Sequence, residues 1–271
     1  MHYVYICGPG ENESLRYSLR SLEKNMPKGK VWVVGYKPDW YEGNFIKIEN
    51  VNRNKFDNIK NCLKRVIKSR RISKNFILMN DDFFAIKEIK HIPIVYSGLL
   101  EDKIKEYYIL GYASKYTKLL QQTLKDLRAA GVQNPLDYDV HFPLPINKKQ
   151  LKKTIDKAYF PRSSYGNLAN IGGIKSNDIK YYSKGPLASR SPNLEDPGIV
   201  FVSTESESFK YLKTKYFNTL FDKPSKYECV PNGIWTRVNA VKGRRPRPLD
   251  DGDSDPERTW TVDLYRDRVA F

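Results

Sequence analysis

The sequence predicts an α/β fold, a mostly parallel sheet flanked by helices with additional helical segments after it. Three observations predict it. Short β-branched and aromatic runs alternate with stretches of helical period through the first 80 residues, the pattern of strands joined by crossover helices. The chain of 271 residues is 40% hydrophobic and 13% aromatic, enough for a core in one large domain or two small ones. No segment approaches the ~18 unbroken apolar residues of a membrane span. The start, MHYVYICGPGENES, also lacks a basic region followed by a long apolar stretch, so a soluble, unprocessed protein with no membrane span is expected.

Residues 3–7 (YVYIC) are short, aromatic and β-branched and end in Gly8-Pro9-Gly10, which predicts a buried strand stopped by a turn. A helix is expected next: Glu11 and Asn12 supply acid and cap chemistry, and Leu15, Leu19 and Leu22 recur at helical spacing until Asn25 and Pro27. Residues 31–34 (VWVV) predict a second strand. Over 55–69, Phe56, Ile59, Leu63, Val66 and Ile67 keep a helical period with Lys and Arg opposite. Residues 76–79 (FILM) predict the third strand. In open sheets of this kind ligands sit beyond the carboxyl ends of strands, so the residues after YVYIC and after FILM are the places to look.

Further on, 106–130 reads as a basic helix. The passage NPLDYDVHFPLPINKK cannot be regular helix because Pro135, Pro143 and Pro145 interrupt it. A helix over 148–158, a turn in FPRSSYGNLANIGG, a strand over 199–202, a helix over 207–221 and a loop or short strand in SKYECVPNG complete the reading. Residues 1–240 are expected to form a single domain, with 1–90 as its ligand-binding core and 91–240 as an acceptor-side, helical part. After Gly243 there are six arginines and no lysine in a chain otherwise rich in lysine, so 241–271 is expected to be a flexible or foreign tail.

Lys+Arg 47 against Asp+Glu 31 gives a formal charge of +16, which favours polyanionic or phosphate-bearing partners, or is simply a solvated basic surface. Three widely spaced cysteines, Cys7, Cys62 and Cys229, indicate neither a disulfide framework nor a zinc site and fit a reducing cytoplasm. Against that charge, the adjacent acids in NFILMNDDFFAI stand out. Three readings of Asp81 and Asp82 are open: turn residues, a divalent-metal site of the kind that needs only one or two carboxylates when the substrate brings phosphates, or general acid/base chemistry.

The order of motifs resembles the Stealth family of sugar-phosphate transferases, which includes capsule polymerases. ENESLRYSLRSLEKNMPKGKVWVV is similar to the family's segment after the first strand, and FILMNDDFF to its strand ending in Asn-Asp-Asp. DVHFPLPINKK is similar to its His-x-Pro segment, with Arg162 about where a catalytic arginine is expected. The family's Trp-Val-Asp-Gly before the first helix is replaced here by YICGPGEN. The resemblance covers roughly 1–90 well and 135–170 loosely. It implies a GT-A-like (Rossmann-related) core that takes a UDP-sugar donor with Mg²⁺ or Mn²⁺ and moves hexose-1-phosphate, or the sugar alone, to an acceptor hydroxyl.

With that resemblance, Asp81 and Asp82 are the candidate metal ligands and Asn80 orients them. Arg16 and Arg20, four apart on one helix face, are candidates to hold a pyrophosphate, the plainer reading being a solvated stripe. Asn12 binds nucleotide or caps the helix. His141 is a candidate base oriented by Asp139, and Arg162 a clamp on the transferred phosphoryl group, while each has an ordinary loop or turn reading beside it. The acceptor is left open among glycan, protein, teichoic acid and DNA. The competing class is a basic nucleic-acid-binding accessory protein without catalysis, in which Tyr107, Tyr108, Tyr112 and Tyr116 beside Lys115 to Arg128 stack bases, or simply pack. A metal-dependent nuclease lacks a further acid cluster. The Lys, Asn and Tyr bias suits a bacteriophage or low-GC bacterial source, which would place a phage-encoded protein in the host cytoplasm.

Overall fold

The computed structural model describes residues 1–48, 55–111, 114–185 and 187–229; the expected tail at 241–271 and Tyr112 lie outside the described residues. Strand β1 (His2–Cys7) is followed by helix α1 (Glu13–Asn25), strands β2 (Lys30–Gly35) and β3 (Asn44–Lys47), helix α2 (Lys55–Lys68) and strand β4 (Asn75–Asn80). The alternation that the sequence predicts is therefore present, with β3 as an addition. β1 lies between β2 and β4, parallel to both, with Tyr3 opposite Val31 on one side and Ile77 on the other. The complete order is β3-β2-β1-β4-β7, where β7 (Leu144–Asn147) runs antiparallel on the edge beside β4. Pro145 is tolerated in β7 because an edge strand needs hydrogen bonds on one side only.

The side-chain period of two sorts this sheet into two cores. Tyr3, Tyr5, Val31, Val33, Ile77 and Met79 face α1, where Leu15, Leu19 and Leu22 cover them. Val4, Trp32, Val34, Phe76 and Leu78 face the other way, onto Leu63 and Val66 of α2 and Leu151 and Ile155 farther along the chain. Such near-continuous apolar strands are what burial on both faces requires.

Two short strands follow, β5 (Phe83–Ala85) and β6 (Val95–Tyr96). The helix expected over 106–130 is two helices, α3 (Leu100–Ile109) and α4 (Lys115–Ala129). Gly111, at φ +76, takes the left-handed conformation just past the end of α3, a backbone state that glycine adopts without steric cost. After β7, α5 (Lys148–Thr154) is shorter than expected, and the expected turn from 160 on is a helix, α6 (Pro161–Leu168), which starts on a proline.

Strands β8 (Ile174–Lys175), β9 (Lys180–Tyr181) and β10 (Phe201–Thr204), a 3-10 turn at Ala188–Arg190 and helix α7 (Ser206–Leu212), continued by a π-helical segment Lys213–Phe217 and a short helix α8 (Asn218–Leu220), complete the described elements. β5, β10 and β9 make a second, three-stranded sheet. Phe83 joins the α1 core while Phe84 packs with Phe209 and Phe217. Among the described residues, no helix is long and apolar enough to cross a membrane.

Candidate active site at the carboxyl edge of the sheet

The strand order reverses direction between β1 and β4, so the crevice outside the carboxyl ends of these two strands is where an open α/β sheet takes a ligand. Cys7-Gly8-Pro9-Gly10 leaves β1 there and Asn80-Asp81-Asp82 leaves β4, with Asn80 in register opposite Ile6. Asp81 and Asp82 form the link from β4 into β5, that is, from the large sheet into the small one. A two-residue bridge between two packed sheets holds both carboxyls in place with little freedom.

Burial and the neighbouring Asp82 push the Asp81 carboxyl up to about 7. Asp82 Oδ2 accepts a hydrogen bond of 3.0 Å from Ser203 Oγ on β10, and Asp82 Oδ1 is buried with no hydrogen-bond partner. An orphaned, buried carboxylate oxygen is costly and calls for an explanation. Among the described residues, no group of three or more His, Cys, Asp or Glu is placed to hold a metal ion, so the protein's own contribution to such a site is this pair.

Arg162 enters from the first turn of α6 and is buried. Its Nε donates to Tyr138 O at 3.3 Å and its Nη2 to Phe142 O, its guanidinium lies 5.9 Å from the Phe83 ring centroid, and Nη1 is buried without a partner. Burial lowers its pKa, opposed by Asp139, Asp137, Asp178 and Asp82. Arg162 thus ties the loop bearing His141 to the Phe83 ring that follows the carboxylate link, and Arg162 and Asp82 each carry an unmatched polar atom.

His141 Nδ1 lies 2.8 Å and 3.0 Å from the two oxygens of Asp178, whose Oδ1 also accepts the His141 backbone N–H at 3.3 Å. Burial alone would raise the Asp178 carboxyl, but the charge and hydrogen bonds of His141, together with Lys103, hold it well below the usual carboxylate range. This corrects the expected pairing with Asp139. Asp139 instead accepts a hydrogen bond from Tyr116 Oη at 3.3 Å and has its own N–H on Asp137 Oδ1. Burial and Asp137 raise its pKa against Arg162, Lys103 and His141. Lys103 of α3 closes the cluster with a 2.7 Å ion pair to the fully buried Asp137.

Three residues expected as ligand contacts, Arg16, Arg20 and Asn12, are engaged within the protein. Arg16 and Arg20 do share a face, as their spacing predicts, but the face meets Glu228. Arg20 makes a bidentate pair with it at 2.8 and 2.7 Å and donates to Phe221 O. Arg16 lies 3.8 Å from Glu228 Oε2 and 4.6 Å from the Trp40 ring centroid. Arg20 is thereby committed to fixing the 221–228 segment on α1.

Asn12 does not cap α1 with its side chain. It sits at φ 47, and its Nδ2 donates to Gly8 O, Gly10 O and Cys7 Sγ, closing the loop after β1 on itself. A helix start whose side chain turns backward in this way shapes the loop and leaves the first N–H groups of α1 uncapped by it.

Tyr116 and Tyr107 pack against each other, and Tyr116 against Phe56 and Phe160. Of the tyrosines expected on this helix, Tyr108 is the exposed one within the described residues. Asp178, Ser203, Lys103 and Asp137 join the site without a local sequence signal, because each reaches it through tertiary contacts across 34 to 121 residues. No protein-family model matches the chain, and no curated protein matches it.

Proposed function

We propose that the chain is a nucleotide-sugar-dependent transferase that moves hexose-1-phosphate, or the sugar alone, from a UDP-sugar to an acceptor hydroxyl with Mg²⁺ or Mn²⁺. The observation that carries this reading is the junction of Asp81-Asp82 with Arg162. A carboxylate oxygen beyond the end of β4 and an N–H of Arg162, whose guanidinium lies 5.9 Å from the ring centroid of Phe83 next to that carboxylate, are both buried and both unmatched, at an edge that open α/β sheets use for ligands. A divalent cation suits the first and a phosphoryl oxygen the second. The resemblance to Stealth and GT-A transferases at ENESLRYSLRS, FILMNDDFF and DVHFPLP supports the same reading.

Asp81 and Asp82 would hold the cation, which supplies Lewis-acid neutralisation of the donor diphosphate when bound. Asp82 is kept in place by Ser203. Arg162 offers fixed positive charge where negative charge develops on the transferred group. His141 accepts the acceptor hydroxyl's proton at Nε2, because Asp178 takes the hydrogen bond from Nδ1 and so sets the tautomer. Asp178 is a positioning residue in this scheme, in the place first expected for Asp139.

Incubation with a panel of UDP-sugars and Mn²⁺ tests the proposal and separates its two forms. Release of UMP marks sugar-phosphate transfer and release of UDP marks glycosyl transfer. No release with any donor, together with no nucleotide-sugar binding by calorimetry, overturns it.

A further inference from the structure

The edge of the central sheet opposite the carboxylates collects positive charge from separate parts of the chain. β1, β2 and β4 begin there, and β7 ends there with Asn147 in register opposite Asn75. Two segments meet at that point. Residues 58–80 carry seven Lys or Arg and residues 140–155 carry four, with no Asp or Glu in either. They are clipped together by Lys148, whose Nζ donates to Ser69 O at 2.7 Å and Ile72 O at 2.6 Å and whose N–H donates to Lys74 O.

Burial, the amino terminus, Lys30 and Lys148 together lower the pKa of His2 at the start of β1, so the field of this edge reaches across strands. Lys68, Arg70, Arg71, Lys74, Lys149 and Lys153 are exposed. Among the described residues none of them makes an ion pair, and the acid nearest in sequence, Asp156, is taken by Lys64 at 2.8 Å. Asp81 and Asp82 of the candidate active site lie at the other end of β4.

We propose that this amino edge is a docking face for the phosphodiester backbone of a nucleic acid. Two arginines among lysines suit bidentate contact with phosphate oxygens, and the interspersed Ser69, Ser73, Asn75, Asn147 and Gln150 are residue types that contact phosphate and sugar. A face built for an anionic membrane adds apolar side chains that insert. Apart from Met1, the large exposed apolar residues of the described chain lie on α3 and its flanks, on β8, beyond β2 and after α7 begins. The face is also distinct from α4, the basic helix the sequence alone singles out.

This inference does not rest on the transferase reading, because its test measures binding and involves no donor. The 271-residue chain is titrated with a fluorescein-labelled duplex DNA of about 30 base pairs and arbitrary sequence across a range of NaCl, in parallel with vesicles containing phosphatidylserine. Two triple variants with the same change in net charge are compared: Arg70→Glu/Lys149→Glu/Lys153→Glu on the amino edge and Lys115→Glu/Lys118→Glu/Lys125→Glu on α4. All six side chains are exposed, and thermal melts check that both variants fold.

The amino-edge variant is expected to lose at least about tenfold in duplex affinity near 0.1 M salt, and the slope of log Kobs against log salt to fall in magnitude by roughly two to three. The α4 variant is expected to keep the wild-type slope. Equal losses in both variants would mean net charge alone and overturn the proposal, as would vesicle binding without duplex binding or no duplex binding by the wild type.

Discussion

Asp178 is the residue whose ionisation the fold most clearly exploits. Its folded-state pKa lies below the ordinary value of about 3.9, so between those two values the unfolded chain binds a proton that the folded chain does not. Stability therefore rises with pH through that window, and the contribution is fully present above it and lost as pH falls through the folded value. Asp178→Asn should melt below the wild type at pH 6, and the gap should close as the pH drops below about 4. Melting curves across pH 2.5–7 check this, and a gap independent of pH would remove the Asp178 charge as its cause. In the transferase assay the same substitution should cost about 10²–10⁴-fold in kcat with KM little changed, since a base in the wrong tautomer still binds substrate. Asp81 and Asp82 were singled out in the sequence because they follow an expected strand, and Arg162 through the resemblance alone. Asp178 was not, since SNDIK carries no local pattern and its partner His141 lies 37 residues away.

At the scale of elements, α1 and α6 show how packing decides what a motif residue does. Arg20 had the spacing of a phosphate ligand, but Glu228, whose side chain is 2% exposed, takes both ends of its guanidinium. Removing one partner of such a pair leaves the other charge unmatched, so Glu228→Ala should destabilise on the order of 3 kcal/mol without changing affinity for UDP. Denaturant titration and calorimetry separate the two, and a selective loss of UDP binding would return Arg20 to the donor site. α6 approaches the His141 loop at Gly166, where an added Cβ would meet the ring of the buried Tyr138 at 2.2 Å. Tyr138 lies between Asp137 and Asp139, so Gly166→Ala is expected to cost about 1–3 kcal/mol by overpacking and to displace those acids. A stable, fully active variant would contradict the close approach. The strands and helices of the first 80 residues were legible from apolar periodicity. β7 and α6 were not, because Pro145 argues against a strand until the edge position is known, and FPRSSYGN resembles a turn until its proline is seen at the first helical position.

For the molecule as a whole, the candidate site exists only when five remote segments converge: the β4–β5 link with Asp82, β10 with Ser203, the loop before β7 with His141, the β8–β9 link with Asp178, and α6 with Arg162. The sequence made the mostly parallel sheet and its carboxyl edge legible, whereas the second sheet that supplies Ser203 was not, because the pairing of β5, β10 and β9 has no local signal even though β10 overlaps an expected strand. The convergence has a thermodynamic consequence. Two neighbouring carboxyls, one of them pushed up by burial and by the other, disfavour the folded state near neutral pH unless positive charge enters. A ligand that meets both unmatched atoms, Asp82 Oδ1 and Arg162 Nη1, must bring a cation and an anionic oxygen together. Neither Mn²⁺ alone nor UDP alone does so. The melting temperature should therefore rise more with Mn²⁺ and UDP together than the sum of the separate shifts, with a stabilisation of about 2.7 kcal/mol when the free complex is at a hundred times its Kd. Asp82→Asn should keep the fold and lose that excess, since it removes the charge but not the Ser203 contact. An additive response in the wild type, or an unchanged excess in Asp82→Asn, would show that the carboxylate pair and the arginine do not act on one ligand.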